Sequence, residues 1–245
     1  MAQNFIKNIL ELLIVFPIIL VTLNKSATRW KALILFGLFF IFNSFLLELP
    51  RQIPEFKIIN GHWNWSGKIY AVLGSILFYL GIRKNLGQYN FFTWRQKEYS
   101  LKPTIIASVA VSILTIGISY FFFGKSEIDI ETFFFQGTMP GLDEEIAFRG
   151  IMLGLLSTTL KPKLKINGLN ISNPSILVTS ILFGLIHSLQ IDNEWNIRNN
   201  WMYFGQTFLF GLIVGWMTLK SGSILIPLIS HNLTNMLGTV TTWIK

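Results

Sequence analysis

Eight apolar segments divide the chain, and their length restricts the fold more than any other feature of the sequence. A helix needs about 20 apolar residues to cross the hydrocarbon core of a bilayer, and most of the segments come close to that length. They lie near residues 5–23, 32–49, 68–82, 104–123, 133–160, 174–189, 201–219 and 223–243. We therefore predict an all-α integral membrane protein, folded as a bundle of about eight transmembrane helices.

The composition agrees with a bilayer as solvent. Charged residues make up only 13% of the chain, whereas soluble domains carry about 25%. The sequence shows no internal repeat, and its longest polar connection, near residues 83–103, is too short to fold alone. We expect a single polytopic membrane domain over residues 1–245, with a motif-bearing core at about 132–240. The first apolar segment should be a retained span, because no small-residue cleavage site follows it.

The net charge of +8 comes from Lys and Arg residues that are scattered between the apolar segments. We interpret them as loop charges that set membrane orientation, and we expect the lipid bilayer, not nucleic acid, as a partner. With eight spans, twelve of these residues fall on one side and seven on the other, with Lys68 among the seven. This bias favours both termini outside. Because cysteine is absent, disulfides, thiolate metal sites and cysteine nucleophiles are excluded.

Polar residues inside the apolar segments are informative, because a charge at bilayer depth costs about 2.5–3.5 kcal/mol. In "GLDEEIAFRG", Glu145 and Arg149 are four residues apart and can neutralise each other on one helix face. Glu144 is rotated by about 100° and lacks that partner, so it can face a cavity. We expect this helix to begin around Leu142, with both acids in its first turn, where the dipole favours negative charge. The alternative is an interfacial helix start with a solvated acidic cap.

Two further groups follow along the chain. In "FGLIH", Phe183 and His187 are four residues apart, and in "SHNLTN" the same spacing separates His231 from Asn235. The first pair is also consistent with an interfacial histidine beside an aromatic ring. The second is also consistent with plain hydrogen bonding between helices. The remaining histidine, His62, lies in a polar loop, and we interpret it as incidental.

The three groups together contain the side chains that hydrolysis needs. A carboxylate and an imidazole can hold and deprotonate a water molecule. A second imidazole and a carboxamide can donate hydrogen bonds to the oxyanion of a tetrahedral intermediate.

In this order and on three late helices, these motifs resemble the signature of the CPBP family. "EEIAFR" matches E-E-x-x-x-R, "FGLIH" matches F-x-x-x-H and "HNLTN" matches H-x-x-x-N. The family is also called the CAAX-protease and bacteriocin-processing or Abi family, and its members resemble the prenyl-protein CAAX endopeptidase. The first four apolar segments carry no part of the signature.

The resemblance implies an intramembrane endopeptidase with its site in a cavity of an eight-helix bundle. It implies that Glu144 and His187 activate water, while His231 and Asn235 stabilise the oxyanion. It also implies that Glu145 and Arg149 hold the architecture of the site, with Phe183 as support. The substrate would be a peptide or a membrane-anchored protein, and a multi-pass protein of a bacterial plasma membrane is expected.

Three alternatives stay open at this point. Zinc could be bound by Glu144, His187 and His231, although no H-E-x-x-H motif is present and we favour a mechanism without a cofactor. The chain could also be a catalytically silent scaffold or immunity protein. A transporter is the third possibility, because buried ionisable residues also mark ion pathways.

Overall fold

Helices dominate the computed structural model, which describes residues 2–25, 29–166, 169–171 and 173–245. The helices are α1 (Ala2–Thr22), α2 (Trp30–Gln52), α3 (Trp65–Leu86), α4 (Leu101–Phe122), α5 (Ile130–Gln136), α6 (Met139–Glu144), α7 (Leu153–Ser157), α8 (Pro174–Ser188), α9 (Trp201–Ser221) and α10 (Leu225–Ile244). A π-helical segment, Glu145–Met152, joins α6 to α7. Single 3-10 turns occupy Pro54–Phe56 and Gly87–Tyr89. The predicted helical class is confirmed.

Two short antiparallel ribbons interrupt the connections between helices. One pairs β1 (Leu164–Ile166) with β2 (Leu169–Ile171), and the other pairs β3 (Leu189–Ile191) with β4 (Ile197–Asn199). Each strand has three residues, which is too few for an alternating pattern to be visible in the sequence.

Five helices of the described chain, α1 to α4 and α9, are long and apolar enough to cross a membrane, which indicates a multi-pass integral membrane protein. They expose large apolar side chains such as Val21, Leu77 and Phe121. Such surfaces suit lipid and are uncommon on soluble monomers. The prediction of about eight spans is not confirmed. Helix α8 has only 15 residues, residues 139–157 are split into three pieces, and α10 is interrupted by polar side chains.

Residues 139–157, which we call the motif helix, form the centre of the bundle. From Pro140 to Ser157 only Leu142 is partly exposed. The motif helix contacts α2, α3, α8, α9 and α10. The motif helix begins at Met139, so the expected start at Leu142 is wrong. The earlier start is possible because proline fits the first turn of a helix. Both acids therefore lie beyond the first turn, where the helix dipole has little effect.

Small residues bring the helices around the motif helix close together. The backbone amide of Gly141 donates to Oδ1 of Asn232 at 2.7 Å, which fixes α6 against α10. A Cβ atom at Gly141 would lie 2.8 Å from the Leu228 carbonyl oxygen. Gly184 of α8 faces the ring of Phe204 on α9, as expected for a glycine that lets another helix approach.

Candidate active site

All four residues predicted to carry the chemistry line one cavity of about 1300 Å³. They come from three helices and meet because the motif helix packs against both α8 and α10. The cavity extends along α4 and α9 to the loop that precedes α3. The four residues are Glu144, His187, His231 and Asn235.

Glu144 lies between the two histidines. Its Oε2 atom is 3.7 Å from Nε2 of His187 and 3.8 Å from Nε2 of His231. This oxygen is buried and accepts no direct hydrogen bond from the described residues. Polar atoms separated by more than about 3.5 Å are often bridged by water. The spacing therefore suits one water molecule held by a carboxylate and an imidazole.

The tautomer of His187 follows from its hydrogen bond. Nδ1 lies 2.7 Å from the carbonyl oxygen of Phe183. A carbonyl oxygen can only accept, so Nδ1 carries the proton. In the neutral ring Nε2 then presents a lone pair toward Glu144. Both atoms that face the water position can accept a proton from it.

His231 is oriented by Glu145 rather than by Glu144. Nδ1 of His231 lies 2.8 Å from Oε1 of Glu145. Oε2 of the same carboxylate lies 3.3 Å from Nε of Arg149. The carboxylate is fully buried, so it binds the His231 ring and the Arg149 guanidinium away from water. The predicted pairing of Glu145 with Arg149 is thus observed, and the contact with His231 was not foreseen.

Phe183 packs between Arg149 and His187. Its ring lies 4.4 Å from the guanidinium carbon of Arg149 and 4.6 Å from the His187 ring centroid. A guanidinium over an aromatic face is attracted by the ring quadrupole. The aromatic residue of "FGLIH" therefore separates the structural arginine from the histidine in the cavity.

Lys68 corrects one expectation and adds one contact that the sequence did not predict. We counted it as a loop charge, but it lies in α3 with its side chain only 13% exposed. Its Nζ atom donates to Oε1 of Glu144 at 2.7 Å and to Oδ2 of Asp143 at 2.9 Å. The sequence separated Glu144 from the Glu145–Arg149 pair, and it did not foresee the charged partner that Lys68 supplies. No pattern in the sequence connects residues 68 and 144, and an unexplained lysine at the start of an apolar segment was the only signal.

Asn235 lies one turn along α10 from His231 and donates to Oε1 of Gln136 at 3.2 Å. Gln136 ends α5 and also lines the cavity. The second amide hydrogen of Asn235 is left for another acceptor. The sequence analysis did not single out Gln136.

His62 lies in a loop as predicted, but it is not without partners. Nε2 lies 2.9 Å from Asp129 and Nδ1 lies 2.9 Å from Glu131, so the ring joins its loop to the start of α5. Hydrogen bonding by Thr132, together with the nearby His62, lowers the pKa of Asp129. Burial opposes ionisation of Glu131, but hydrogen bonds from Trp63, Trp65 and His62 lower its pKa overall.

The arrangement does not fit a metal centre. Among the residues that the structure describes, no group of three or more His, Asp or Glu side chains has the geometry to hold an ion. The three donors considered for zinc include Glu144, whose Oε1 is occupied by the Lys68 ammonium at 2.7 Å. An ammonium already lies against that carboxylate, so we derive no step through a metal.

Fold and site together define a class of protein: a polytopic membrane bundle with a glutamate and two histidines around one interior cavity. Residues 126–237 match the family model described as type II CAAX prenyl endopeptidase Rce1-like. The matched segment is an Rce1-like domain that covers a little under half of the chain and contains the three predicted motifs. Such a domain indicates an intramembrane protease. Comparison with curated proteins and with solved structures gave no significant match.

Proposed function

We propose that this protein is an intramembrane endopeptidase that hydrolyses a peptide bond of a membrane-associated peptide or protein. One observation carries the proposal: Oε2 of Glu144 faces Nε2 of both His187 and His231 inside a cavity of an apolar bundle. The substrate and the lipid bilayer are the proposed partners, and a bacterial plasma membrane is the proposed location.

In the proposed mechanism a water molecule donates one hydrogen bond to Glu144 and one to His187. Its lone pair then points away from both residues, toward the carbonyl carbon of the substrate. When the water oxygen attacks this carbon, a water proton passes to Glu144 or His187. Collapse of the tetrahedral intermediate then returns a proton to the leaving amine nitrogen. No other reactant is needed for the proton balance.

His231 and Asn235 stabilise the oxyanion in this proposal. Because Nδ1 of His231 donates to Glu145, Nε2 can donate only when the ring is protonated. The buried Glu145 carboxylate stabilises that imidazolium. The free amide hydrogen of Asn235 supplies the second donor.

The test is hydrolysis of a fluorogenic peptide library by the purified protein in detergent, with Glu144→Ala as the control. We expect cleavage by the unmodified protein and none by a variant that is equally monodisperse and thermally stable. Equal rates, or no cleavage by either, would contradict the proposal and favour a scaffold or transport role. A second arm adds a strong chelator. Unchanged activity is expected, whereas loss that zinc restores would contradict the metal-free mechanism.

A further inference from the structure

Lys68 is the one ammonium that touches the proposed catalytic carboxylate within the described chain, and its side chain is largely enclosed. It projects from the first turn of α3, next to the N-cap residue Asn64, into the cavity. An ionisable side chain placed inside a membrane bundle is costly, so its retention needs a reason. Ion pairing with Asp143 and Glu144 is that reason on the protein side.

The ion pair is itself held by a hydrogen-bond chain. Nδ2 of Asn43 on α2 lies 3.4 Å from Oδ1 of Asp143 and 3.3 Å from Oγ of Ser75 on α3. Asp143 is 1% exposed, so its orientation is fixed by these contacts. Three elements, α2, α3 and α6, thereby fix the position of the Lys68 ammonium. A hydrogen-bond donor that is itself held in place by other contacts orients its acceptor more tightly than a mobile donor does.

The two oxygens of Glu144 have separate surroundings as a result. Oε1 accepts from Lys68 at 2.7 Å, while Oε2 accepts no hydrogen bond from the described residues and faces the two histidines. If Lys68 were absent, the carboxylate could rotate about its terminal torsion, which is broad for glutamate. It could then turn its second oxygen away from the water position.

We propose that Lys68 is a positioning residue for the reaction: it holds Oε1 of Glu144 so that Oε2 faces His187 and His231. This inference rests on the proposed function. Lys68 does not touch the reacting atoms in this account, and it acts only through Glu144. Asp143 and Asn43 set the position of the ammonium and have no direct part in the chemistry.

Charge balance alone is the competing explanation for Lys68. The unmodified site contains one ammonium and two carboxylates, Asp143 and Glu144. Lys68→Met leaves both carboxylates without their cation. The double variant Lys68→Met/Asp143→Asn restores the original net charge but leaves Oε1 of Glu144 without its donor. The double variant therefore separates positioning from charge balance.

The experiment measures kcat, KM and thermal unfolding for the unmodified protein, Lys68→Met, Lys68→Arg and the double variant. Lys84→Met, at an exposed lysine near the other end of α3 and outside the cavity lining, is the matched control and should behave like the unmodified protein. We expect Lys68→Met to unfold at lower temperature and to lose about 100-fold in kcat with little change in KM, as for a misplaced catalytic group. The double variant should regain thermal stability without regaining kcat, and Lys68→Arg should regain part of both.

Recovery of kcat in the double variant would overturn the proposal, because charge balance would then suffice. Unchanged kcat in a folded Lys68→Met would overturn it as well. Both results leave the unmodified protein active and therefore leave the proposed function standing. Absence of hydrolysis by the unmodified protein would overturn the proposed function and the positioning role together.

Discussion

Glu145 connects His231 to Arg149 beside the cavity. It accepts from His231 through one oxygen and faces Arg149 through the other, with its side chain fully buried. Glu144, its neighbour, faces the cavity instead. Two adjacent acids thus have different surroundings: Glu145 is enclosed by the protein, whereas Glu144 is held at Oε1 by Lys68 and keeps Oε2 on the cavity.

Arg149→Ala should lower stability before it affects chemistry. Removing one partner of a buried ion pair leaves an uncompensated charge and costs about 3–5 kcal/mol. The yield of folded protein and the unfolding midpoint in detergent should both fall. Arg198→Ala is the control, because Arg198 pairs with Asp192 at an exposed position and such pairs contribute about 0–1 kcal/mol. A stable but inactive Arg149→Ala would mean that its role is not structural.

Glu145→Gln should impair both stability and turnover. The amide keeps the shape but cannot compensate the charge of Arg149 or of a protonated His231. We expect a lower unfolding midpoint and, in the fraction that stays folded, a lower kcat with little change in KM. A variant with normal kcat per folded molecule would contradict the role assigned to the His231 imidazolium.

At the scale of elements, the contact of α6 with α10 positions Glu144 relative to His231. Gly141→Ala should weaken it, because the new Cβ atom would lie 2.8 Å from the fixed backbone oxygen of Leu228. Overpacking of this kind costs about 1–3 kcal/mol. Gly117→Ala on α4 is the control, since nothing lies within 4 Å of that position. The prediction is contradicted if both variants unfold at the same temperature.

The contact between α5 and the loop before α3 should depend on pH. Because the pKa values of Asp129 and Glu131 are lowered in the folded protein, their contribution is present above the ordinary values of 3.8 and 4.5. It is lost as the pH falls through the lowered values. Trp63 stacks on Phe135 in this contact, so tryptophan fluorescence should report its loss. Glu131→Gln should remove much of the acid transition, and an identical transition in that variant would contradict the assignment.

For the whole molecule, the sequence predicted what depends on local pattern. Apolar run length predicted the long helices, and spacing of four predicted the Glu145–Arg149 pair. Local pattern could not predict the contact of Lys68 with Glu144 or that of His231 with Glu145. The residues in these two contacts are 76 and 86 positions apart in the chain. The early helix start at Met139 was missed because Pro140 is compatible both with a turn and with a first helical turn.

The number of membrane spans also depends on tertiary packing, which local sequence pattern does not predict. Residues 139–157 are apolar enough in pattern to suggest a membrane helix, but they form an interior helix with a π-helical middle. Such segments often occur at functional sites. Burial by other helices, rather than by lipid, is a tertiary property that hydropathy does not reveal.

The central claim is that Glu144 and His187 act on one water molecule, and a double-variant cycle tests it most directly. The values of kcat for Glu144→Gln, His187→Gln and the combined variant would be compared with the unmodified protein on one peptide. Each single change should cost about 10²–10⁴-fold. Because residues that act as a unit are not additive, the combined variant should lose no more than the worse single variant. Losses that multiply in the combined variant, or turnover retained by Glu144→Gln, would contradict the account.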